Sequence, residues 1–161
     1  MRMNKIILVL DNIRSVHNVG AMFRTAEAAG VDEIILVGIT PTPLDRFGRS
    51  RDDLAKAAVG AQEMVSWKHI EQTSEAINYL QDMGSDIVSL EITDHSVDYK
   101  TVPVPDGLVP FALVVGNENT GVSQEWLEAS DLVCHIPMMG EKESLNVSTS
   151  CGIALFRILN R

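Results

Sequence analysis

Three short polar loops hold the residue types of this sequence that are best suited to chemistry. The first is NIRSVHNVGAMFR, residues 12–24, which contains two asparagines, a histidine and two arginines. The second is GNENTG, residues 116–121, and the third is MMGEKESLN, residues 138–146. Each loop follows an apolar run, and open α/β sheets bind ligands beyond the carboxyl ends of their strands. The three loops are therefore the candidate functional site.

The first loop offers an arginine that could bind phosphate. Arg24 could contact a phosphate through two parallel N–H groups, as arginine commonly does. It could instead form a surface ion pair with Glu27, worth only a few tenths of a kcal/mol. The loop has neither the glycine and lysine pattern of a Walker loop nor that of a Rossmann fingerprint. Neither of these nucleotide-binding motifs therefore explains it.

The second and third loops each allow a functional and a purely structural interpretation. Gly116 and Gly121 allow tight turns, and the amides between them could bind an anion or the polar part of a cofactor. The alternative is a turn chosen only for its shape, with Glu118 solvated. In the third loop, Ser144 stands where a helix N-cap belongs, with Asn146 two residues later. Simple capping of the last helix is the alternative there.

The charge distribution limits where a polyanion could bind. The chain of 161 residues has a net charge of −9, which argues mildly against a nucleic-acid partner. Residues 1–56 contain 8 basic and 7 acidic side chains, whereas residues 57–161 contain 5 and 15. The N-terminal third is thus where a polyanion is least repelled. It includes a basic cluster in DRFGRSR, formed by Arg46, Arg49 and Arg51.

Several protein classes are excluded by composition. The four histidines and two cysteines show no metal-ligand spacing, so we expect no metal. No apolar run approaches the roughly 20 residues of a membrane span, and the N-terminus does not resemble a signal peptide.

Cys134 and Cys151 are expected to be reduced core residues of a cytoplasmic protein. His135 alternates with apolar neighbours and is expected to be a satisfied core histidine. The length suits one domain, residues 1–161.

Apolar periodicity predicts the elements that position these loops. Strands are expected at 6–10, 34–38, 86–92, 111–116 and 132–138. A helix with Asn18 as its N-cap and Gly30 as its stop separates the first two strands, which indicates a parallel βαβ unit. Further helices are expected over SEAINYLQDM and from Ser144 to about Leu159. The predicted class is α/β, with a mostly parallel sheet of five or six strands flanked by helices.

In order along the chain, the three loops resemble the motifs of a known family. They resemble the three motifs of the SpoU (TrmH-like) RNA ribose 2′-O-methyltransferases, in the SPOUT superfamily. The resembling stretches are N-x-R-…-N-V-G-A-x-x-R, L-V-V-G-N-E-x-x-G-V-S and I-P-M-x-G-…-S-L-N-V-S. The resemblance covers about residues 6 to 159. It implies a deep C-terminal trefoil knot and a homodimer with the site near its interface. It also makes the small-residue helix 145–159 a candidate dimer surface, in a domain without a separate RNA-binding extension.

The resemblance also assigns roles to individual residues. It implies a catalytic set of Arg24, Asn18, Glu118, Ser144 and Asn146. It implies that S-adenosyl-L-methionine (AdoMet) is held largely by backbone at Val115, Gly116, Asn117, Ile136, Met138 and Leu145. Arg14 fits as an RNA-phosphate contact, and Arg46 and Arg49 are added from the basic cluster. Gly20 is expected to let the substrate ribose approach the first helix.

Two other functions remain open at this stage. One is a catalytically silent module that binds AdoMet or RNA. The other is a nucleotide-binding domain of flavodoxin type, which would leave the GNENTG and SLN loops unexplained. The sequence does not distinguish tRNA from rRNA as the substrate. Because of the acidic net charge, we expect RNA binding to need a structured substrate, a partner protein or a dimer that concentrates the arginines of residues 14–51.

Overall fold

The computed structural model describes residues 5–161, in which strands and helices alternate along the chain. The strands are β1 Ile6–Asp11, β2 Glu33–Val37, β3 Ser66–Ile70, β4 Asp86–Leu90, β5 Val97–Asp98, β6 Phe111–Gly116 and β7 Leu132–His135. The α-helices are α1 Val16–Ala29, α2 Asp52–Ala58, α3 Thr73–Asp82, α4 Gln124–Ala129 and α5 Val147–Ile158. The prediction of an α/β fold is confirmed.

All strand pairs of the sheet are parallel, in the order β3-β2-β1-β6-β4-β7-β5. The central strands β1, β2 and β6 are buried along their whole length, as expected for a sheet covered on both faces. Helices α1, α2 and α5 contribute to the core on one face, and α3 and α4 to the core on the other. This arrangement brings the carboxyl ends of β1, β6, β4 and β7 to one edge.

The sheet has seven strands rather than the predicted five or six. The five predicted strands are present, although β7 ends three residues before the predicted boundary at residue 138. The first unpredicted strand, β3, has the sequence SWKHI, is partly exposed and lies at the sheet edge, so it lacks an apolar run. The second, β5, is only two residues long. Both are edge strands, which are partly exposed and can therefore contain polar residues.

Two of the predicted helix starts are wrong, in a way that matters for the site. Ser15, not Asn18, is the N-cap of α1, and its side chain accepts a hydrogen bond from the Asn18 N–H at 3.2 Å. Asn146, not Ser144, is the N-cap of α5. Gly30 ends α1 as predicted, with a left-handed φ of 75°. The side chain of Asn18, which is not needed for capping, is therefore available to the neighbouring loops.

Gly20 serves helix packing and not ligand approach, so the expectation that it faces the substrate ribose is wrong. A Cβ at this position would lie 2.5 Å from Ala57 Cβ and 2.8 Å from the Leu54 carbonyl oxygen. Gly20 therefore allows α1 and α2 to approach closely.

Two further observations concern the cysteines and membrane-spanning segments. Cys134 and Cys151 are buried free thiols, as predicted, and burial raises the pKa of each to about 12. Within residues 5–161, no helix is both long and apolar enough to cross a bilayer.

Candidate active site

A cavity of about 1110 Å³ lies where the chain leaves the carboxyl ends of β4, β6 and β7. Its wall combines the segment after β4, the GNENTG loop, and the loop that connects β7 to α5. All six residues predicted to bind the cofactor line this cavity: Val115, Gly116, Asn117, Ile136, Met138 and Leu145. The catalytic candidates Glu118, Ser144 and Asn146 line it too. The second and third sequence loops therefore do form one site.

Glu118 joins the second loop to the first. Its carboxylate accepts hydrogen bonds from the backbone N–H of Arg14 at 2.9 Å and of Ser15 at 3.0 Å. It also accepts one from Asn18 Nδ2 at 3.0 Å. These three donors belong to the turn that precedes α1 and to its first helical turn. Glu118 therefore fixes the start of α1 against the wall of the cavity.

The environment of Glu118 keeps its side chain ionised. Burial by itself would raise the pKa of this carboxyl, but the hydrogen bonds from Arg14, Asn18 and Ser15 outweigh burial and lower it. A carboxylate with both oxygens engaged and a lowered pKa is a poor proton acceptor at neutral pH. Glu118 is exposed, but both of its carboxylate oxygens are hydrogen-bonded, so its chemical contribution is positioning.

Asn146 extends this network to the third loop. Its Oδ1 accepts the backbone N–H of Ser148 at 2.9 Å and that of Thr149 at 3.3 Å, which caps α5. Its Nδ2 donates to Asn18 Oδ1 at 3.2 Å. Asn146 therefore caps the helix and also contacts the first motif, so the capping interpretation alone is incomplete. Glu118, Asn18 and Asn146, from three separate loops, form one continuous hydrogen-bonded chain.

The GNENTG loop is closed by its own hydrogen bonds. Asn117 and Gly121 exchange backbone hydrogen bonds at 2.8 and 3.1 Å, and Asn117 Oδ1 accepts from the amides of Asn119 and Thr120. Asn117 Nδ2 donates to the Asn12 carbonyl at 2.7 Å. Because Asn117, Asn119 and Thr120 already donate their backbone N–H groups inside the loop, these three amides are not free to bind an anion. The Asn117 side chain shapes the loop.

Two carboxylates that sequence reasoning missed also hold this loop. Glu91, directly after β4, lines the cavity and accepts the Val122 N–H at 2.9 Å. Asp11, at the end of β1, is buried and accepts the Ser123 N–H at 2.9 Å. Gly121 has a left-handed φ of 74°, which favours glycine, and a Cβ there would lie 2.0 Å from Glu91 Oε2 and displace this carboxylate. Glu91 and Asp11 each lie at the carboxyl end of a predicted strand, and this position is the sequence signal that could have identified them.

His135 differs from its prediction. It is half-buried rather than in the core, it lines the cavity, and its Nδ1 lies 2.9 Å from Ser96 Oγ.

Across residues 5–161, no three His, Cys, Asp or Glu side chains lie close enough together to bind a metal ion.

Arg24 is not among the residues that line the cavity of its own chain. It is exposed on α1, and within residues 5–161 it forms no ion pair, so the alternative of a surface pair with Glu27 is not observed. It lies about 120° around the helix from Asn18, at 100° per residue, and on the same side as Gly20, which faces α2. The structure therefore brings Asn18 to the site, but not Arg24.

The predicted RNA contacts lie outside the cavity. Arg14 is exposed, and its backbone N–H anchors Glu118. Arg46 and Arg49 lie together on the long connection between β2 and α2.

Comparison with known proteins agrees with this arrangement. The chain is 32% identical over 158 residues to the 23S rRNA (guanosine-2'-O-)-methyltransferase RlmB of Coxiella burnetii, a match that covers 95% of this chain and 57% of that protein. It is 30% identical over 155 residues to the tRNA (guanosine(18)-2'-O)-methyltransferase of Escherichia coli K12, covering 96% and 63%. The crystal structure of an AdoMet-bound rRNA methyltransferase from Sinorhizobium meliloti has a TM-score of 0.86 at 30% identity, covering 96% and 55%.

The chain thus spans between about half and two thirds of the length of these proteins. The profile of the SpoU rRNA Methylase family matches residues 5–156, which is nearly the whole chain. This chain belongs to the SpoU rRNA Methylase family.

Proposed function

We propose that this protein transfers a methyl group from AdoMet to a ribose 2′-hydroxyl of tRNA or rRNA. The observation that carries the proposal is the hydrogen-bonded chain of Glu118, Asn18 and Asn146, which joins three separate loops at one cavity. Relatives that are 30% and 32% identical are named as guanosine 2′-O-methyltransferases of tRNA and rRNA, which supports the same reaction class.

The residues of the cavity fit AdoMet. Its apolar lining suits an adenine ring, with side chains from Val115, Leu127, Ile136, Met138 and Leu145. Glu91 and Glu118 also line the cavity, and their negative charges favour a ligand that carries positive charge. When bound there, AdoMet would supply an electrophilic methyl group on a sulfonium.

The chain's own residues would orient the substrate. Glu118 holds the Arg14–Asn18 segment, and Asn18 in turn holds the amide of Asn146. The Ser144 hydroxyl lines the cavity and has no hydrogen-bond partner within residues 5–161, so it is available to a substrate group. Positioning of the reacting 2′-hydroxyl is then the main contribution of these groups.

Arg24 is proposed to hold the phosphate beside the target ribose and to stabilise negative charge that develops on its oxygen. A role as general base does not suit a guanidinium, which carries only N–H donors and no acceptor. Because Arg24 lies outside the cavity of its own chain, we propose that it reaches the cavity of a second subunit. The proposed homodimer would use α5, where Ile153 and Phe156 are each 37% exposed.

Three further features belong to the same proposal. The C-terminal segment is proposed to form a trefoil knot, supported by the similarity of the fold to the Sinorhizobium meliloti structure. Residues 1–161 are proposed to act as one SpoU-type domain. A cytoplasmic location is proposed from the two free buried thiols, which suit a reducing compartment.

Methyl transfer to RNA is the direct test. Purified protein would be incubated with AdoMet and unmodified tRNA or rRNA, and the digested RNA would be examined by mass spectrometry for 2′-O-methylnucleosides. Asn146→Ser should abolish most of the product, because serine keeps the helix cap but loses the bond to Asn18. Asn78→Ala, an exposed change on α3, is the matched control and should leave the activity intact.

The same assay separates the enzyme from the silent module. AdoMet binding without any 2′-O-methyl product on either RNA class would support the silent module and contradict the proposed function.

A further inference from the structure

The connection between β2 and α2 contains a tight hairpin, residues 44–50, whose ends pair as an antiparallel bridge. The Asp45 carboxylate organises it by accepting the backbone N–H of Phe47 at 2.8 Å and of Arg49 at 2.9 Å. Gly48 has a φ of 76° at the turn. At the tip, Phe47 is 66% exposed. The hairpin therefore holds a large apolar ring in solvent on a fixed backbone.

Two arginines flank this ring, and only one of them is held in place. Arg46 Cζ lies 4.7 Å and Arg49 Cζ 5.0 Å from the centroid of the Phe47 ring. Arg49 Nε also donates to Asp45 Oδ2 at 3.0 Å. Arg46 has no such acid partner within residues 5–161. Arg46 can therefore move from the ring to bind another group, whereas Arg49 is occupied.

A hollow of about 650 Å³ lies beside Phe47, large enough for a nucleobase. Its lining includes Thr40, Pro41, Leu44, Arg51 and His69. The base of this connection is attached to the main cavity through Asn12. The Asn12 side chain accepts the Ile39 N–H at 3.1 Å, and its carbonyl accepts from Asn117. The connection that carries the hairpin therefore begins at the same end of the sheet as the candidate active site.

We propose that Phe47 stacks on an unpaired nucleobase of the RNA substrate while Arg46 contacts the adjacent phosphate. This assignment rests on the proposed function for the presence of RNA. Aromatic rings bind bases by stacking, and a base offers an open face only when it is outside a duplex. The remainder of the chain, residues 57–161, is strongly acidic and repels phosphate, so the hairpin lies in the part that a polyanion can approach. The site thus selects a loop or a bulge.

The test compares two fluorescein-labelled RNAs of equal length, a stem–loop with an open loop and a fully paired duplex. Wild-type protein should bind the stem–loop more tightly, as measured by fluorescence anisotropy at fixed salt. Phe47→Ala should weaken stem–loop binding by about 10-fold, equal to about 1.4 kcal/mol. Phe47→Trp should retain it, because tryptophan also stacks. Met64→Ala removes an equally exposed side chain before β3 and should change nothing.

Arg46 makes a separate prediction in the same assay. Arg46→Ala should weaken binding to both RNAs and lower its dependence on salt, because a phosphate contact is independent of pairing. Arg49→Ala should do so less, since its charge is already paired with Asp45.

Several results would overturn the assignment. The first is a wild-type protein that does not prefer the stem–loop to the duplex. The second is a Phe47→Ala variant that keeps this preference. The third is a Phe47→Ala variant that loses the preference only together with a change of oligomeric state, as measured by sedimentation. Calorimetry with AdoMet on the same variants keeps the two proposals apart. Failure of AdoMet binding with retained Phe47-dependent discrimination would contradict the methyltransferase proposal and leave the stacking site standing.

Discussion

At the scale of residues, Glu118 is the group on which the site depends most. One carboxylate satisfies the backbone N–H groups of Arg14 and Ser15 and the amide of Asn18. The motif around Glu118 predicted that this residue belongs to the site. Its role could not be predicted, because its hydrogen-bond partners are about 100 positions away in the chain. The order of the strands in the sheet determines which distant donors lie close to a carboxylate. A local sequence pattern does not contain this order.

Glu118→Gln should lower the free energy of unfolding at pH 7 by about 1 kcal/mol, since a charge-assisted acceptor is lost in a partly exposed setting. The pKa of Glu118 is lowered in the folded state, so its stabilising contribution is present above its usual value of 4.5 and is lost as pH falls below it. Urea unfolding of both proteins at several pH values checks this. A difference that grows on acidification would contradict the assignment.

At the scale of elements, the packing of α1 decides where the first loop lies. The apolar spacing of α1 was predicted correctly, whereas its cap and the purpose of Gly20 were not. Ser15 and Asn18 are both good capping residues, and the choice between them follows from the attachment of Asn18 to Glu118. Gly20 is explained only by α2, a tertiary contact. The unpredicted β3 likewise depends on its place at the sheet edge.

Two glycines in helices provide a matched pair of predictions. Gly20→Ala should reduce the free energy of unfolding by about 1–3 kcal/mol, because its Cβ would lie 2.5 Å from Ala57. Gly152→Ala in α5 should be neutral or stabilise by up to about 1 kcal/mol, because its Cβ would meet Thr25 at an ordinary 3.5 Å. Thermal and urea unfolding measure both. Equal effects of the two changes would contradict the packing described for α1 and α2.

At the scale of the whole molecule, the cavity is built at the ends of three strands, β4, β6 and β7, that are separated in sequence. The sequence predicted the end of the sheet where the cavity lies and nine of the cavity-lining residues, because strand ends and motifs are local signals. It missed Glu91 and Asp11, which act through backbone amides of other segments. Arg24 lies outside the cavity of its own chain. This position is accounted for by the proposed second subunit.

The proposed dimer leads to a direct prediction. Phe156→Glu places a charge on the outer face of α5 and should convert the protein to a monomer with at least about 10-fold lower methyl transfer, since burying an unpaired charge is costly. Sedimentation velocity and the RNA assay measure the two effects. Met64→Glu, at a similarly apolar exposed site, is the control. A monomeric wild-type protein that is fully active would contradict this arrangement.

Calorimetric titration of the purified protein with AdoMet, and with its demethylated product, tests the proposed cofactor site most directly. We expect saturable binding of both ligands, in the micromolar range, with affinity reduced by Asn146→Ser and unchanged by Asn78→Ala. This result would establish that the three loops form a working cofactor site. Absence of binding at millimolar AdoMet, in a folded protein, would contradict the account.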